Sequence, residues 1–225
     1  MGKKEYPKIK EDISSPAYGL SSPLPGFSRK VFSIVQLVIG IVLLPFIYTT
    51  TVAFIHEFSL IEEPLRNYFW AGLISFLVIY LFVWEPAIIY AKGQRLLALV
   101  FTFIKPMVKV APFLLPVYTI ILFILFGLAS LLFKSAAVAN YFVFSFGFSM
   151  GLHLVFSAKS IRSKQGDFLR ANYIFGFSFI YILNIFLLIF CLNLFFEKIS
   201  FVNFVNNSFQ AAKDIFSAVF RQLFL

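Results

Sequence analysis

The sequence predicts an all-α, polytopic helical membrane protein, and its composition supports that class. Of the 225 residues, 60% are hydrophobic and 13% are charged, whereas a soluble domain has about a quarter of its residues charged. Phenylalanine alone supplies 33 residues, and the mean hydropathy is +0.91. Apolar stretches long enough to cross a bilayer recur along the chain. These observations argue against a water-soluble enzyme, a disordered chain and a nucleic-acid-binding domain.

The first thirty residues differ from the rest of the chain. They hold six Lys or Arg residues and four prolines, and they show no apolar periodicity. They also lack the short apolar core and small-residue cleavage site of a secretory signal peptide. We therefore expect a basic cytoplasmic tail at 1–30, followed by a transmembrane domain at 31–196.

Five stretches are long enough to span the bilayer. Crossing about 30 Å of hydrocarbon takes about 20 helical residues. The five spans that we expect are residues 31–55, 68–84, 111–133, 136–158 and 173–196.

The segment at 86–105 is apolar but interrupted. The polar residues from Lys92 to Arg95 leave only Leu96 to Ile104 as an uninterrupted apolar run, which is too short to span. We expect a re-entrant or interfacial helix here.

Basic residues alternate from one connection to the next. Six Lys or Arg residues lie in the tail, four in 85–110 and four in 159–170, but only one in each of 55–67 and 133–135. Since Lys and Arg collect on cytoplasmic loops, the N-terminus is expected in the cytoplasm and the C-terminus outside. The expected localisation is a bacterial inner membrane.

The residues at 203–225 have the periodicity of an amphipathic helix. One stripe is apolar, and the polar residues lie elsewhere. The stripe consists of Phe209, Ala212, Phe216, Val219, Phe220, Leu223 and Phe224. We expect this helix to lie on the membrane surface or on a partner.

The pair His56-Glu57 resembles the start of the zinc-protease motif His-Glu-x-x-His, in which the two histidines bind one metal ion. The fifth position here is Leu60, so the second ligand is missing. We interpret both residues as polar groups of an external loop. The lone Cys191 lies in an apolar run and has no cysteine to pair with. We therefore expect no metal, no cofactor and no catalytic residue.

Three polar residues remain as candidates of unknown role: Glu85, His153 and Asp167. His153 lies within a span, where an ionisable group is either functional or bonded to Asn184, Asn193, a serine or the backbone. Glu85 has Lys92 and Arg95 as candidate partners. Asp167 lies among basic residues, which favours a solvated or salt-bridged loop.

Several short motifs follow one another between residues 68 and 196. They are Tyr90-Ala91-Lys92-Gly93, the proline-containing segment from Ala111 to Thr119, Leu152-His153, Gln165-Gly166-Asp167 and the aromatic stretch from Phe177 to Asn184. Their order resembles a divergent branch of the site-2-type intramembrane zinc metalloproteases. In that branch, the His-Glu-x-x-His helix follows the Tyr-x-x-Gly motif.

The chain departs from that family at the metal ligands. Gln94 to Ala98 contain neither a histidine nor a carboxylate. The resemblance therefore implies a non-catalytic relative, with Asp167 as a relic of the family's acidic ligand, because zinc cannot be held without these ligands.

The function expected from these features is that of a non-catalytic structural or accessory subunit of a membrane assembly. Its expected partners are the lipid bilayer and other membrane protein subunits, and not nucleic acid. The alternatives are a small-molecule or lipid transporter and a metalloprotease relative without activity. A transporter would use Glu85, His153 and the prolines Pro112 and Pro116 as a polar path and a helix break.

Overall fold

The computed structural model describes residues 26–104, 111–132, 136–163 and 172–224, and these residues are almost entirely helical. No strand occurs within those ranges, so the all-α prediction is confirmed there. The helices are α1 (Gly26–Ser59), α2 (Glu63–Val78), α3 (Ala87–Val100), α4 (Val117–Leu132), α5 (Ala136–Ser163), α6 (Tyr173–Phe195) and α7 (Phe201–Phe224).

Among the described residues, four helical segments are long and apolar enough to cross a membrane. They are Val31–Ser59, Glu63–Val83, Ala137–Arg162 and Tyr173–Phe195. Helix α4 is equally apolar but has only 16 residues, which corresponds to about 24 Å. The four long helices support the class of membrane protein that the composition predicts.

Helix α2 ends in a π-helical turn at Ile79–Val83, where the Trp84 N–H donates to the Ile79 carbonyl over 2.9 Å. Glu85 and Pro86 then separate it from α3, because the residue before a proline disfavours helical dihedral angles. Helix α3 has 14 residues and buries Tyr90, Gly93 and Leu97. It occupies most of the segment in which the sequence predicts a re-entrant or interfacial helix.

Helices α2 and α5 run parallel to each other at very short range. A Cβ added at Gly72 would overlap the Phe144 carbonyl oxygen, and a Cβ at Gly147 would overlap that of Phe69. Farther along, Gly151 lies against the Phe76 ring. The sequence Gly147 to Gly151 is a G-x-x-x-G motif, and such small residues let two helix backbones approach closely in membranes.

Helices α1 and α6 also run parallel to each other. Gly40 lies against the backbone of Phe175, and the Thr51 and Tyr181 hydroxyls form a hydrogen bond of 2.8 Å. Helix α4 runs antiparallel to α5, with a 2.8 Å hydrogen bond between the Thr119 and Ser149 hydroxyls near its beginning. Farther along α4, the Phe123 ring stacks on Phe146 of α5, and the Phe126 ring contacts Phe142 of α5 at a tilted angle.

Helix α7 packs lengthwise on α1 and runs antiparallel to it. The Ser200 N–H donates to the Glu57 carboxylate at the end of α1, and the Phe216 ring lies 5.7 Å from the Phe46 ring. The buried residues of α7 are Phe204, Ser208 and Ala212. The helix predicted at 203–225 is present, and it lies against another helix of the same chain.

Candidate functional site

The candidate site surrounds a break in the helical backbone before α4. Residues 111–114 form one helical turn, and α4 begins at Val117. Pro116 has no N–H group to donate, so the helical hydrogen-bond ladder is interrupted there. In an apolar interior, the carbonyl groups freed by such a break need other donors.

Side chains from α5 and α6 supply these donors. The Ser157 hydroxyl lies 3.4 Å from the Phe113 carbonyl oxygen, and the Asn184 amide donates to the Leu114 carbonyl over 3.0 Å. Ser157 and Asn184 are completely buried. Two later helices therefore stabilise the broken backbone by direct hydrogen bonds.

His153 belongs to the same cluster. Its Nε2 atom lies 3.3 Å from the Ser157 hydroxyl, and the Tyr90 hydroxyl lies 2.9 Å from that same oxygen. Of the partners considered from the sequence, a serine and the backbone, at Phe113, are found here. Asn184 instead bonds to the backbone, and Asn193 accepts from the Phe201 N–H over 2.7 Å.

One polar atom of the cluster has no hydrogen-bond partner among the residues described. It is the Asn184 Oδ1 atom, which is buried. An amide oxygen in this position can accept a hydrogen bond from a water molecule.

Helix α3 closes the cluster from another side. The Tyr118 hydroxyl donates to the Ile89 carbonyl over 2.6 Å, and a Cβ at Gly93 would lie 2.6 Å from a Val117 methyl carbon. Gly93 therefore permits the contact between α3 and the start of α4.

The break thus gathers motifs that are far apart in the sequence. Tyr90, Gly93, the segment 111–119, His153 and Asn184 lie around it, and all of them carry the resemblance described above. Next to Gly93, the buried amide nitrogen of Gln94 has no hydrogen-bond partner in the described parts of the chain. In those same parts, no three His, Cys, Asp or Glu side chains come together as metal ligands.

The other candidate residues lie apart from this cluster. Glu85 forms an exposed ion pair with Lys159 of α5, rather than with Lys92 or Arg95. Asp167 lies outside the described residues.

His56 and Glu57 belong to the end of α1 and not to a loop, so the sequence interpretation was wrong in this respect. His56 is exposed, whereas Glu57 is only 2% exposed and accepts the Ser200 N–H over 3.1 Å. Glu57 thereby holds the start of α7.

An apolar cleft of about 440 Å³ lies beside the cluster, between α3, α4 and α5. Apolar side chains form most of its wall, and the Ser145 and Ser149 hydroxyls add polar groups. The apolar residues are Ile89, Ile121, Leu122, Phe144, Phe148 and Leu152.

Sequence reasoning did not identify Ser157, and it noted Tyr90 only as part of a short motif. The available signal was the pair Pro112 and Pro116, which frees backbone carbonyls inside an apolar segment. Such a pair requires donors from neighbouring helices, and the serines and asparagines of later spans are the candidates. The sequence does not say which of them lie within reach.

Comparisons with protein families, with curated proteins and with solved structures found no match.

Proposed function

We propose that this chain is a non-catalytic structural subunit of a membrane assembly. The observation that carries the proposal is the polar outer face of α7, a helix packed lengthwise on the first membrane-capable helix. The resemblance to intramembrane metalloproteases fits an inactive relative, which is an alternative form of the same proposal.

The proposed membrane arrangement has five spans. Helices α1, α2, α5 and α6 provide four, and the turn at 111–114 followed by α4 provides the fifth, with 22 residues from 111 to 132. The helix directions support this order, since α1 runs parallel to α6 and α2 runs parallel to α5. Helix α3 is the re-entrant or interfacial element. With the basic tail in the cytoplasm, the ends of α1 and α6 lie on the outer side.

In this arrangement α7 descends into the membrane. It starts beside Glu57 at the outer end of α1, and its Phe216 lies beside Phe46, eleven residues back along α1. Eleven residues of helix correspond to about 16 Å of depth. We therefore propose that the C-terminus returns toward the cytoplasmic side, in place of the external C-terminus expected from the sequence.

The face of α7 that points away from α1 is polar. Its exposed residues are Asn203, Asn206, Gln210, Lys213, Asp214, Ser217 and Arg221, and Asn207 lies at its edge, where it also lines a cleft with Thr49 and Ala53 of α1. Polar and charged side chains in hydrocarbon cost several kcal/mol each unless protein or water covers them. A helix with such a face at this depth therefore requires a neighbour, which is the property of a subunit.

The polar cluster around Pro116 is consistent with a structural role. Ser157 and Asn184 donate to carbonyls freed by the break, and His153 contacts the same serine. The two titratable groups nearest the break, the His153 imidazole and the Tyr90 hydroxyl, both contact the Ser157 hydroxyl, which fits a structural use of these side chains.

A second candidate function is lipid handling. The cleft of about 440 Å³ beside α4 has an almost entirely apolar wall, and it suits an acyl chain. Exchanging Leu122 for Trp would fill the cleft and reduce acyl-chain binding without touching α7.

Purification in a mild detergent tests the main proposal. A subunit elutes as a complex of defined stoichiometry, whose mass exceeds that of the 25.7 kDa chain. A monodisperse single chain that binds a lipid or small molecule would instead support the lipid-handling or transport alternative.

A further inference from the structure

The polar residues of α7 follow a heptad repeat. Their separations alternate between four and three residues, which is the spacing of the contact positions in a coiled coil. The residues with this spacing are Asn203, Asn207, Gln210, Asp214, Ser217 and Arg221. We call them the polar seam.

The whole seam is exposed. Each of its six residues is exposed along the full length of α7, while Phe204, Ser208 and Ala212 on the opposite face pack against the rest of the protein. The seam is therefore available to another helix.

We propose that the polar seam binds the same seam of a second copy of this chain, so that the two α7 helices form a parallel pair within the membrane. This inference rests on the proposed membrane placement of α7. Copies inserted in the same orientation have parallel α7 helices. A two-fold axis along the membrane normal relates the two helices.

The seam favours a helix over a lipid or a soluble ligand. Asn, Gln and Ser side chains both donate and accept hydrogen bonds, so two identical seams can satisfy each other. The strict heptad spacing indicates a left-handed helix pair, because this spacing keeps one face against a partner over several turns.

Charge complementarity selects a second copy as that partner. In a parallel heptad pair, each contact residue packs between several residues of the partner helix. For the first contact position of the heptad, these include the same residue of the partner and the residue that precedes it in the partner's sequence. Asp214 at such a position meets both the Asp214 and the Lys213 of the other copy, so the two carboxylates lie between two ammonium groups. Each chain therefore brings one anion and one cation to the same level.

The carboxylate is already oriented within the seam. The Gln210 amide donates to Asp214 over 3.1 Å, one helical turn earlier. Arg221 lies in the last turn of α7, where a long side chain reaches toward lipid headgroups. Along the seam, the amides of Asn203, Asn207 and Gln210 therefore come first, and the charged Asp214 and Arg221 lie nearer the end of α7.

Disulfide cross-linking tests the geometry in the full chain. In a Cys191→Ala background reconstituted into phosphatidylethanolamine and phosphatidylglycerol vesicles, Ser217→Cys lies on the seam and Val219→Cys on the opposite, also exposed face. Oxidation should link two Ser217→Cys chains and leave Val219→Cys chains single. Equal linking of both variants, or no linking of Ser217→Cys, would overturn the proposal.

A charge exchange tests the pairing. Lys213→Asp alone and Asp214→Lys alone should each weaken the dimer by about tenfold or more in mild detergent, because all four side chains at that level then carry the same charge. The double exchange restores opposite charges and should restore the dimer. Failure of the double variant to recover, while the chain remains folded, would reject the pair between copies.

The outcomes separate this inference from the proposed function. A complex of one copy with a different membrane protein, weakened by the same seam variants, would overturn the second-copy inference and leave the subunit role intact. A folded monomer whose Ser217→Cys reacts with a water-soluble thiol reagent would overturn both.

Discussion

The α-carbon of Gly72 in α2 faces the Phe144 carbonyl oxygen in α5 with no side chain between them. Gly147 of α5 makes the reciprocal approach to the backbone at Phe69. A methyl group at either position overlaps the partner backbone, which side-chain rotation cannot relieve. We expect Gly72→Ala to lower the free energy of unfolding by about 1–3 kcal/mol or more, measured by thermal unfolding in detergent.

Gly127→Ala is the matched control. A Cβ there meets only the ring edge of Phe195, at 3.3 Å, and a ring can shift slightly. Its effect should be much smaller than that of Gly72→Ala. Equal melting temperatures for the two variants would contradict the close backbone contact.

The cluster around the helix break gives a second prediction. Ser157→Ala removes a buried hydroxyl near the Phe113 carbonyl, Tyr90 and His153. Unsatisfied buried polar groups cost about 1–3 kcal/mol, so we expect a loss of stability in that range. Ser130→Ala removes the same atom from an exposed serine and should change stability by less than about 0.5 kcal/mol. Similar losses for both serines would argue against a structural role of the cluster.

Two phenylalanines of α7 have different environments. Phe216 lies against Phe46, whereas Phe220 is 59% exposed. Phe216→Ala should therefore loosen α7 from α1, seen as faster amide hydrogen exchange between 205 and 216. Phe220→Ala, which removes the same ring, should leave that exchange nearly unchanged. Faster exchange in Phe220→Ala than in Phe216→Ala would mean that α7 is held by its exposed apolar stripe.

The start of α7 depends on a carboxylate from α1. Glu57→Leu removes the acceptor of the Ser200 N–H and should raise amide exchange at residues 200–204, because that partly buried donor loses its partner. Glu62→Leu alters an exposed glutamate in the following turn and serves as the control. Unchanged exchange in Glu57→Leu would show that Ser200 and Asn193 suffice to fix the helix start.

Local patterns predicted the helices but only part of their packing. The length of the apolar stretches identified the four long helices, since span length follows from bilayer thickness. The hydrophobic stripe chosen for α7 included Ala212 and Phe216, which do pack inward, but also Phe220 and Phe224, which are exposed. The small residue Ser208 is buried instead, because a close contact with α1 favours small size over hydrophobicity.

The role of Glu57 could not be predicted from the sequence, for a different reason. Its partner Ser200 lies 143 positions away, and no local pattern encodes that distance. Likewise, the pair Pro112 and Pro116 predicts a broken helix, but only the fold shows that Ser157 and Asn184 reach the carbonyl groups at the break. The motif from Gly147 to Gly151 was a local signal for close packing, and it did not specify α2 as the partner.

Cysteine accessibility tests the central claim, that α7 runs back through the membrane beside α1. Single cysteines at Ser59, Ser163 and Phe224 in a Cys191→Ala chain are treated with a membrane-impermeant thiol reagent in intact cells. We predict labelling at Ser59 only, with Ser163 and Phe224 labelled after the membrane is opened. Labelling of Phe224→Cys in intact cells would place the end of α7 outside and contradict the account.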